Sequence, residues 1–356
     1  MRIVQIIDSL ETGGAEKMAV NYANALADRI EFSGLITTRK EGMLKSHLNK
    51  NVSYLFLKRN SGIDLKAVFK LRSYLQRNKI QIIHAHSSSF FIAVLAKFTR
   101  PKTKIIWHDH YGISQDLKVR KNIILKFVSL LFSGTISVNL SLQKWAESYL
   151  KCKKIVYLPN FVELSTPASA PSLLKGENNK RIICVANLRP QKNHELLIEG
   201  ASHIHKKFPD WTFHLMGKDF NDHYSAKLVS KVKELNLDGT IFFYGALENT
   251  HDLLKQCQIG VLTSVSEGLP LAVLEYGLAG LPVVATNVGE ISGIIYSNKA
   301  GILIESNNLD QFVNSVQKLI QETDTRKEMG DHLKSFVENN FGKDLILSNY
   351  LSWLNL

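Results

Sequence analysis

Two carboxylates, Glu267 and Glu275, stand seven residues apart in the run TSVSEGLPLAVLEYGLAGLPVVAT (263–286). The apolar stretch before them, IGVLTS (259–264), reads as a buried strand, and Pro270 suits the first turn of a helix, where a missing N–H costs nothing. Leu271, Leu274 and Leu278 continue at helical spacing. Glu267 is therefore expected in the loop at a helix mouth and Glu275 inside the helix, until Gly280 and Pro282 end it and PVVAT opens another strand. Peptide N–H groups at a helix N-terminus suit phosphate, and Gly268 leaves a ligand free to approach the backbone. Carboxylates on either side can accept hydrogen bonds from sugar hydroxyls. Two glutamates alone also fit an ordinary loop and helix; the glycine, the proline and the flanking apolar runs set this stretch apart.

Other chemistry-bearing residues are scattered earlier. IIHAHSSS (82–89) and IIWHDHYG (105–112) each end a strand with His-x-His. Alternate strand residues share a side, so His84/His86 and His108/His110 form two same-face pairs. Such pairs can ligate a metal, but no carboxylate or cysteine set with ligand spacing accompanies them, and a hydrogen-bonded structural role is the alternative. Gly13 and Gly14, between the strand RIVQIID and the helical run MAVNYANALAD, make a second possible cradle for phosphate or sugar; packing of the turn explains them equally. Lys192 lies where another helix begins, placed to meet a diphosphate as a point charge.

The elements that must position these residues alternate strand and helix. At 356 residues the chain is long enough for two domains, each with its own core. Strands are expected near 31–37, 52–57, 80–85, 103–108 and 134–138; a strand–loop–helix pattern restarts over 181–204, strands with their loops follow at 211–219, 239–247 and 258–264, and helices at 308–321, 325–338 and 343–355. TPASAPSLLKGENNK (166–180) reads as a linker. No apolar run reaches the roughly 18–20 residues of a membrane span, and the N-terminus is too acidic for a signal peptide. Three scattered cysteines imply a reducing compartment.

Charge is divided unevenly. Residues 1–165 carry 26 Lys and Arg against 11 Asp and Glu, net +15; the remainder carries 18 against 21, net −3. The basic half implies an anionic partner: membrane surface, lipid phosphate or nucleic acid. Within it, 63–79 sets Lys66, Lys70 and Arg77 on one helix face and Val68, Leu71 and Leu75 on another, while KVRKNIILKFVSLLF (118–132) joins Lys118, Arg120, Lys121 and Lys126 to a broad apolar face. Either could lie on an anionic bilayer, or be a domain helix with solvated lysines.

The E-x7-E run resembles the signature of retaining glycosyltransferases of family 4. GGAE (13–16) resembles the turn that opens many of them. YLPNFVE (157–163) resembles their P-N-G-V-D stretch, with Phe161 in place of the glycine and Glu163 of the aspartate. ANLRPQKN (186–193) resembles G-R-L-x-x-x-K, with Asn187 at the arginine position and Arg189 two residues on. The resemblance implies an α/β GT-B fold of two Rossmann-like doubly wound domains facing across a cleft. Residues 1–163 would bind the acceptor, with the C-terminal helix 341–356 crossing back to them, and 164–340 would bind the nucleotide sugar. It further implies that Lys192, the mouth at Gly268, Leu269, Pro270 and Leu271, and Gly13 and Gly14 stabilise the leaving diphosphate, with Arg189 a candidate to replace the missing arginine. Glu275 would hold the ribose, Glu267 the transferred sugar, and His110 (His108 in second place) would line the reacting centre. Asn160, Asn187, Gly217 and Gly245 would complete the donor surroundings.

The function implied by this resemblance is that of a metal-independent hexosyltransferase without a cofactor. It would move sugar from a nucleotide-diphosphate sugar, UDP before GDP, to a lipid-linked or glycan acceptor in bacterial surface-polysaccharide synthesis. The setting expected is the cytoplasmic face of the inner membrane, with the basic domain on anionic lipid and no nucleic-acid partner. Three alternatives remain open: a sugar-nucleotide 2-epimerase of the same fold, a nucleic-acid-binding protein using the basic half, and a metal hydrolase built on the His-x-His pairs. Against the second, aromatics are not interleaved with the basic runs.

Overall fold

The computed structural model describes residues 1–112, 117, 120, 122–162, 173–247 and 250–355. Lys118, Lys121, Glu163 and the first part of the expected linker lie outside them. The chain forms two compact units, Met1–Phe161 with Lys343–Leu356, and Val162–Gly342.

The first unit runs β1 (Arg2–Ser9), α1 (Gly14–Ala27), β2 (Phe32–Lys40), β3 (Ser53–Phe56), α2 (Leu65–Arg77), β4 (Ile82–His86), α3 (Phe90–Thr99), β5 (Lys104–Asp109), α4 (Ile123–Val128), β6 (Gly134–Ser137), α5 (Leu140–Tyr149) and β7 (Ile155–Tyr157). Among the described residues these strands form a parallel sheet in the order β3-β2-β1-β4-β5-β6-β7. The Ile- and Val-rich central strands are buried on both faces, as parallel strands under helices must be. One core joins Val4, Ile6, Ile83 and Ile105 to Leu71 of α2, Ile92 of α3, Leu125 of α4 and Ala146 of α5; a second joins Ile7 and Leu35 to Ala19 and Ala23 of α1. Helix starts are written locally: Asp64, Asn122 and Asn139 accept from the backbone N–H three residues on, capping α2, α4 and α5.

The second unit runs β8 (Arg181–Val185), α6 (His194–Lys207), β9 (Thr212–Met216), α7 (His223–Glu234), β10 (Ile241–Phe243), α8 (Thr250–Leu254), β11 (Ile259–Leu262), α9 (Leu271–Leu278), β12 (Val283–Thr286), α10 (Ile291–Ile294), β13 (Ile302–Ile304), α11 (Leu309–Gln321) and α12 (Thr323–Phe341). Its parallel sheet has the order β10-β9-β8-β11-β12-β13, so the chain switches direction between β8 and β11. Ligands of open parallel sheets bind outside the strand carboxyl ends at such a switch. Two small residues let α9 settle. A Cβ on Gly260 of β11 would come within 2.6 Å of the Tyr276 ring, and one on Gly277 within 2.6 Å of Val337 in α12.

The last helix, α13 (Lys343–Asn355), returns to the first unit, where Tyr350 is fully buried and Trp353 lies so close to Gly134 that a Cβ there would meet it at 2.5 Å. Two short strands, β7 and β13, went unread in the sequence because three residues hold too little pattern, and the strand expected with its loop in 239–247 is β10. Pro270 stands just before α9 with extended ψ of 119°, not inside its first turn. No helix among the described residues is long and apolar enough to cross a membrane.

Candidate functional site: a charged mouth and a histidine cluster

In the second unit Glu267 follows β11 and Lys192 follows β8, the two strands at the switch. Their side chains meet there, Lys192 Nζ to Glu267 Oε1 at 2.5 Å. Ser264 Oγ donates to the same oxygen at 2.6 Å, and Thr286 of β12 donates to the Ser264 carbonyl at 2.5 Å. Thr263 Oγ1 donates to the carbonyls of Lys192 and Asn193, and the Val265 N–H donates to the Gln191 carbonyl, so the two loops are laced together. Glu267 is only 5% exposed, and a buried carboxylate needs this full set of partners. Gly289 presses on the same loop: its φ is +59°, and a Cβ would stand 2.3 Å from the Glu267 carbonyl oxygen. Gly268, Leu269 and Pro270 are buried and lead into α9, with Leu271 at its first position and Glu275 half-buried one turn on.

Tyr276, next to Glu275, ties the helix to both switch strands. Its hydroxyl accepts from the Val185 N–H at 2.6 Å and donates to the Val261 carbonyl. Cys184 on β8 is buried, and burial pushes its thiol up to about 12, which makes it no nucleophile.

Beyond the lysine, three loops join at the ends of β8, β9 and β10. Asn187 Oδ1 accepts from the Lys218 N–H at 2.8 Å, and the Gly217 N–H donates to the Gly245 carbonyl at 2.8 Å. Gly217 is obligatory there, since a Cβ would lie 2.0 Å from the Ala186 carbonyl oxygen, and Gly245 has φ of +66°. Arg189 is exposed and stacks on Phe220, its guanidinium carbon 3.7 Å from the ring centroid. It is thus held by an aromatic ring, and no ion pair links it to Glu267 among the described residues.

In the first unit the two His-x-His pairs merge. β4 and β5 pair in parallel with His86 opposite His108, and four imidazoles pack together. His84 Nε2 and His108 Nδ1 are 3.1 Å apart, and His86 Nδ1 and His110 Nε2 2.9 Å. Tyr350 of α13 hydrogen-bonds His84 Nδ1 at 3.1 Å, and Gln5 Oε1 of β1 hydrogen-bonds His86 Nε2 at 2.9 Å. The Tyr22 ring lies against His84, His108 and Phe161. Burial drives His84, His86 and His108 well below the ordinary imidazole range and His110 to about 3, so the cluster is neutral.

Three of these rings, His84, His86 and His108, offer nitrogens within 4.8 Å of one another, the separation a metal ion would need. Those of His84 and His86 are all engaged in the hydrogen bonds just described, leaving His108 Nε2 as the uncommitted one.

Gly13 precedes α1 with an extended backbone, and Gly14 is the helix's first residue. A Cβ on Gly13 would meet Glu16 Oε2 at 2.2 Å: the Glu16 carboxylate folds over its own helix start, and burial raises its pKa. Asn160 is buried after β7, next to Phe161, whose carbonyl accepts from Asn21. Asp109, the last residue of β5 and between His108 and His110 in sequence, turns away to a bidentate pair with Arg120, which stacks over Tyr111 and Trp145.

The family described as Glycosyl transferases group 1 matches residues 165–336, and Glycosyltransferase Family 4 matches residues 12–166. The chain belongs to glycosyltransferase family 4. Among its relatives is the UDP-Gal:alpha-D-GlcNAc-diphosphoundecaprenol alpha-1,3-galactosyltransferase of Escherichia coli, 26% identical, with 92% of this chain and 90% of that one covered. Another is the GalNAc-alpha-(1->4)-GalNAc-alpha-(1->3)-diNAcBac-PP-undecaprenol alpha-1,4-N-acetyl-D-galactosaminyltransferase of Campylobacter jejuni, 25% identical, covering 94% and 93%. The crystal structure of Anabaena HepE with UDP and glucose superposes with a TM-score of 0.81 at 18% identity, covering 100% of this chain and 99% of that one. At that identity the likeness establishes the GT-B fold, the architecture expected of family 4.

Within the family 4 frame, four participants escaped the sequence reading: Ser264, Tyr276, Gln5 and Tyr350. Gln5 alone left a signal, a carboxamide in the middle of the apolar strand RIVQIID.

Proposed function

We propose that this glycosyltransferase moves a hexose from a UDP-sugar to a polyprenyl-diphosphate-linked or glycan acceptor, with retention and without a metal ion, in assembly of a bacterial surface polysaccharide. The observation that carries the reading is the Lys192–Glu267 pair at the β8/β11 switch, beside the mouth of α9. As the bond from anomeric carbon to phosphate oxygen breaks, charge builds on the diphosphate. Lys192 and the N–H groups around Gly268–Leu271 offset it, the task a metal would otherwise perform. Lys192 then exchanges one anion for another, and Glu267, held by Ser264, is released to accept from hydroxyls of the sugar. Glu275 holds the ribose; the Gly217 and Gly245 loops flank the base. The acceptor hydroxyl bonds to the anomeric carbon on the face the phosphate leaves, and its proton passes to that phosphate. His110, a neutral imidazole, lines the reacting sugar. UDP and a diphosphoundecaprenol acceptor are supported by the names of the HepE complex and the two bacterial relatives.

The membrane part of the proposal rests on the outer side of α2, α3 and α4. Leu65 and Phe69 of α2, Phe98 of α3, Ile123, Ile124 and Phe127 of α4 and Leu130 just after it are all more than half exposed, and Lys66 and Lys70 of α2 are exposed as well. Exposed apolar side chains with exposed lysines among them suit an anionic bilayer, each cation contributing about 1 kcal/mol. The test has two arms. A thermal-shift screen against UDP, GDP and ADP should show stabilisation by UDP that Glu275→Ala abolishes; no shift with any nucleotide in folded protein would count against the donor site. Sedimentation with anionic vesicles should be lost in Ile124→Asp/Phe127→Asp; equal binding by the variant would sink the membrane face.

A further inference from the structure

The histidine cluster contains two hydrogen-bond chains that end differently. Tyr350–His84–His108 ends at His108 Nε2, buried and without a partner. Gln5–His86–His110 ends at a half-buried ring; among the described residues no hydrogen bond is formed at its Nδ1. We propose that Gln5 and His86 are positioning residues that fix the proton of His110 on Nε2, so that His110 meets the sugar through a bare Nδ1 that can only accept a hydrogen bond. The inference rests on the reading that His110 faces the sugar.

The chain has one sense. The Gln5 carboxamide oxygen faces His86 at 2.9 Å and can only accept, so His86 Nε2 carries the proton. A neutral imidazole holds one proton, so His86 Nδ1 is a lone pair and must receive the Nε2–H of His110, 2.9 Å away. His110, also neutral, is left with Nδ1 unprotonated. Burial keeps both rings uncharged, and among the described residues no carboxylate hydrogen-bonds either ring to stabilise a second proton. Gln5 and His86 are fully buried; both ring nitrogens of His86 and the Gln5 oxygen are hydrogen-bonded, while Gln5 Nε2 has no partner among the described residues. An apolar residue would pack at position 5 more cheaply; the carboxamide supplies the oxygen that sets the direction.

Long-range proton–nitrogen NMR on the full chain with labelled histidine reads the tautomer directly, with His110 assigned by the His110→Gln variant. The wild type should show Nε2–H at His110. Gln5→Leu should turn that signal into a tautomer mixture and lower kcat about tenfold, one hydrogen bond's worth, at unchanged KM. An Nδ1–H pattern in the wild type, from a carboxamide turned the other way, would overturn the proposal without any variant having to fold. So would a Gln5→Leu protein with the wild-type spectrum and rate. A wild-type kcat in His110→Ala would instead overturn the sugar-facing role itself, whatever the spectrum shows, so the two failures are distinguishable.

Discussion

The two units solve the same problem with opposite electrostatics. Each gathers polar side chains at the carboxyl ends of a parallel sheet. The second unit gathers charge: a lysine and a carboxylate paired across the β8/β11 switch, with Ser264 on the same oxygen. The first gathers four imidazoles kept neutral by burial, linked to a carboxamide and a phenol. A site that must meet a diphosphate benefits from a cation held ready by an exchangeable partner. A site that must orient hydroxyls without titrating benefits from donors and acceptors of fixed direction and no charge. The contrast teaches that net charge is a poor guide to local chemistry: the +15 half of the chain has the uncharged cluster, and the −3 half has the lysine paired with a buried carboxylate.

The sharpest way to break this contrast is at Lys192. Lys192→Met should lower kcat by about 10³-fold, as loss of one charge-stabilising donor does, and destabilise the second unit by about 3 kcal/mol, because Glu267 is left buried without its cation. Lys192→Met/Glu267→Gln should recover the stability, measured by urea unfolding, but not the rate. Recovery of both would mean the lysine serves packing alone. In the first unit, His110→Ala should cost about 10²-fold in kcat and little stability, since the ring is half-buried at the end of its chain.

Acid separates the units by smaller steps. His110 titrates near 3 when folded and near 6.5 when unfolded, and His84, His86 and His108 are shifted in the same direction. The unfolded chain therefore binds protons the folded one refuses, so stability present above about pH 6.5 falls as pH drops toward 3. Each such histidine takes away up to about 1.4 kcal/mol per pH unit. The second unit has two, His194 and His214, both lowered to about 4 by burial. Hydrogen exchange followed by mass spectrometry between pH 7 and 4 should show peptides of the first unit losing protection at the higher pH; simultaneous loss would remove the asymmetry. The smallest change is Tyr276→Phe, which leaves the Val185 N–H without its 2.6 Å partner and should cost about 1–2 kcal/mol, read as a lower Tm with UDP binding retained.

Much of this was legible from the residues. The order of strands and helices follows from runs such as RIVQIID and IGVLTS, whose burial needs nothing beyond their own composition, and Gly268–Pro270 mark the start of α9 because loop and helix chemistry is local. The same-face placement of each His-x-His pair follows from strand periodicity. Other features depend on which strands lie side by side, and periodicity does not encode that. Lys192 and Glu267, 75 residues apart, meet because β8 and β11 are neighbours. The two histidine pairs become one cluster because β4 and β5 pair in a particular register, with Gln5 arriving from β1 and Tyr350 from 266 residues beyond His84. Arg189, read as a spare phosphate ligand, stacks on Phe220, since the half-buried ring at the next loop offers it a nearer surface. Local sequence determined the elements and the types of residue at their ends. Sheet order alone decided which of those residues share protons and charge, because hydrogen bonds and ion pairs act over a few ångströms and only the packed sheet brings such distant segments that close.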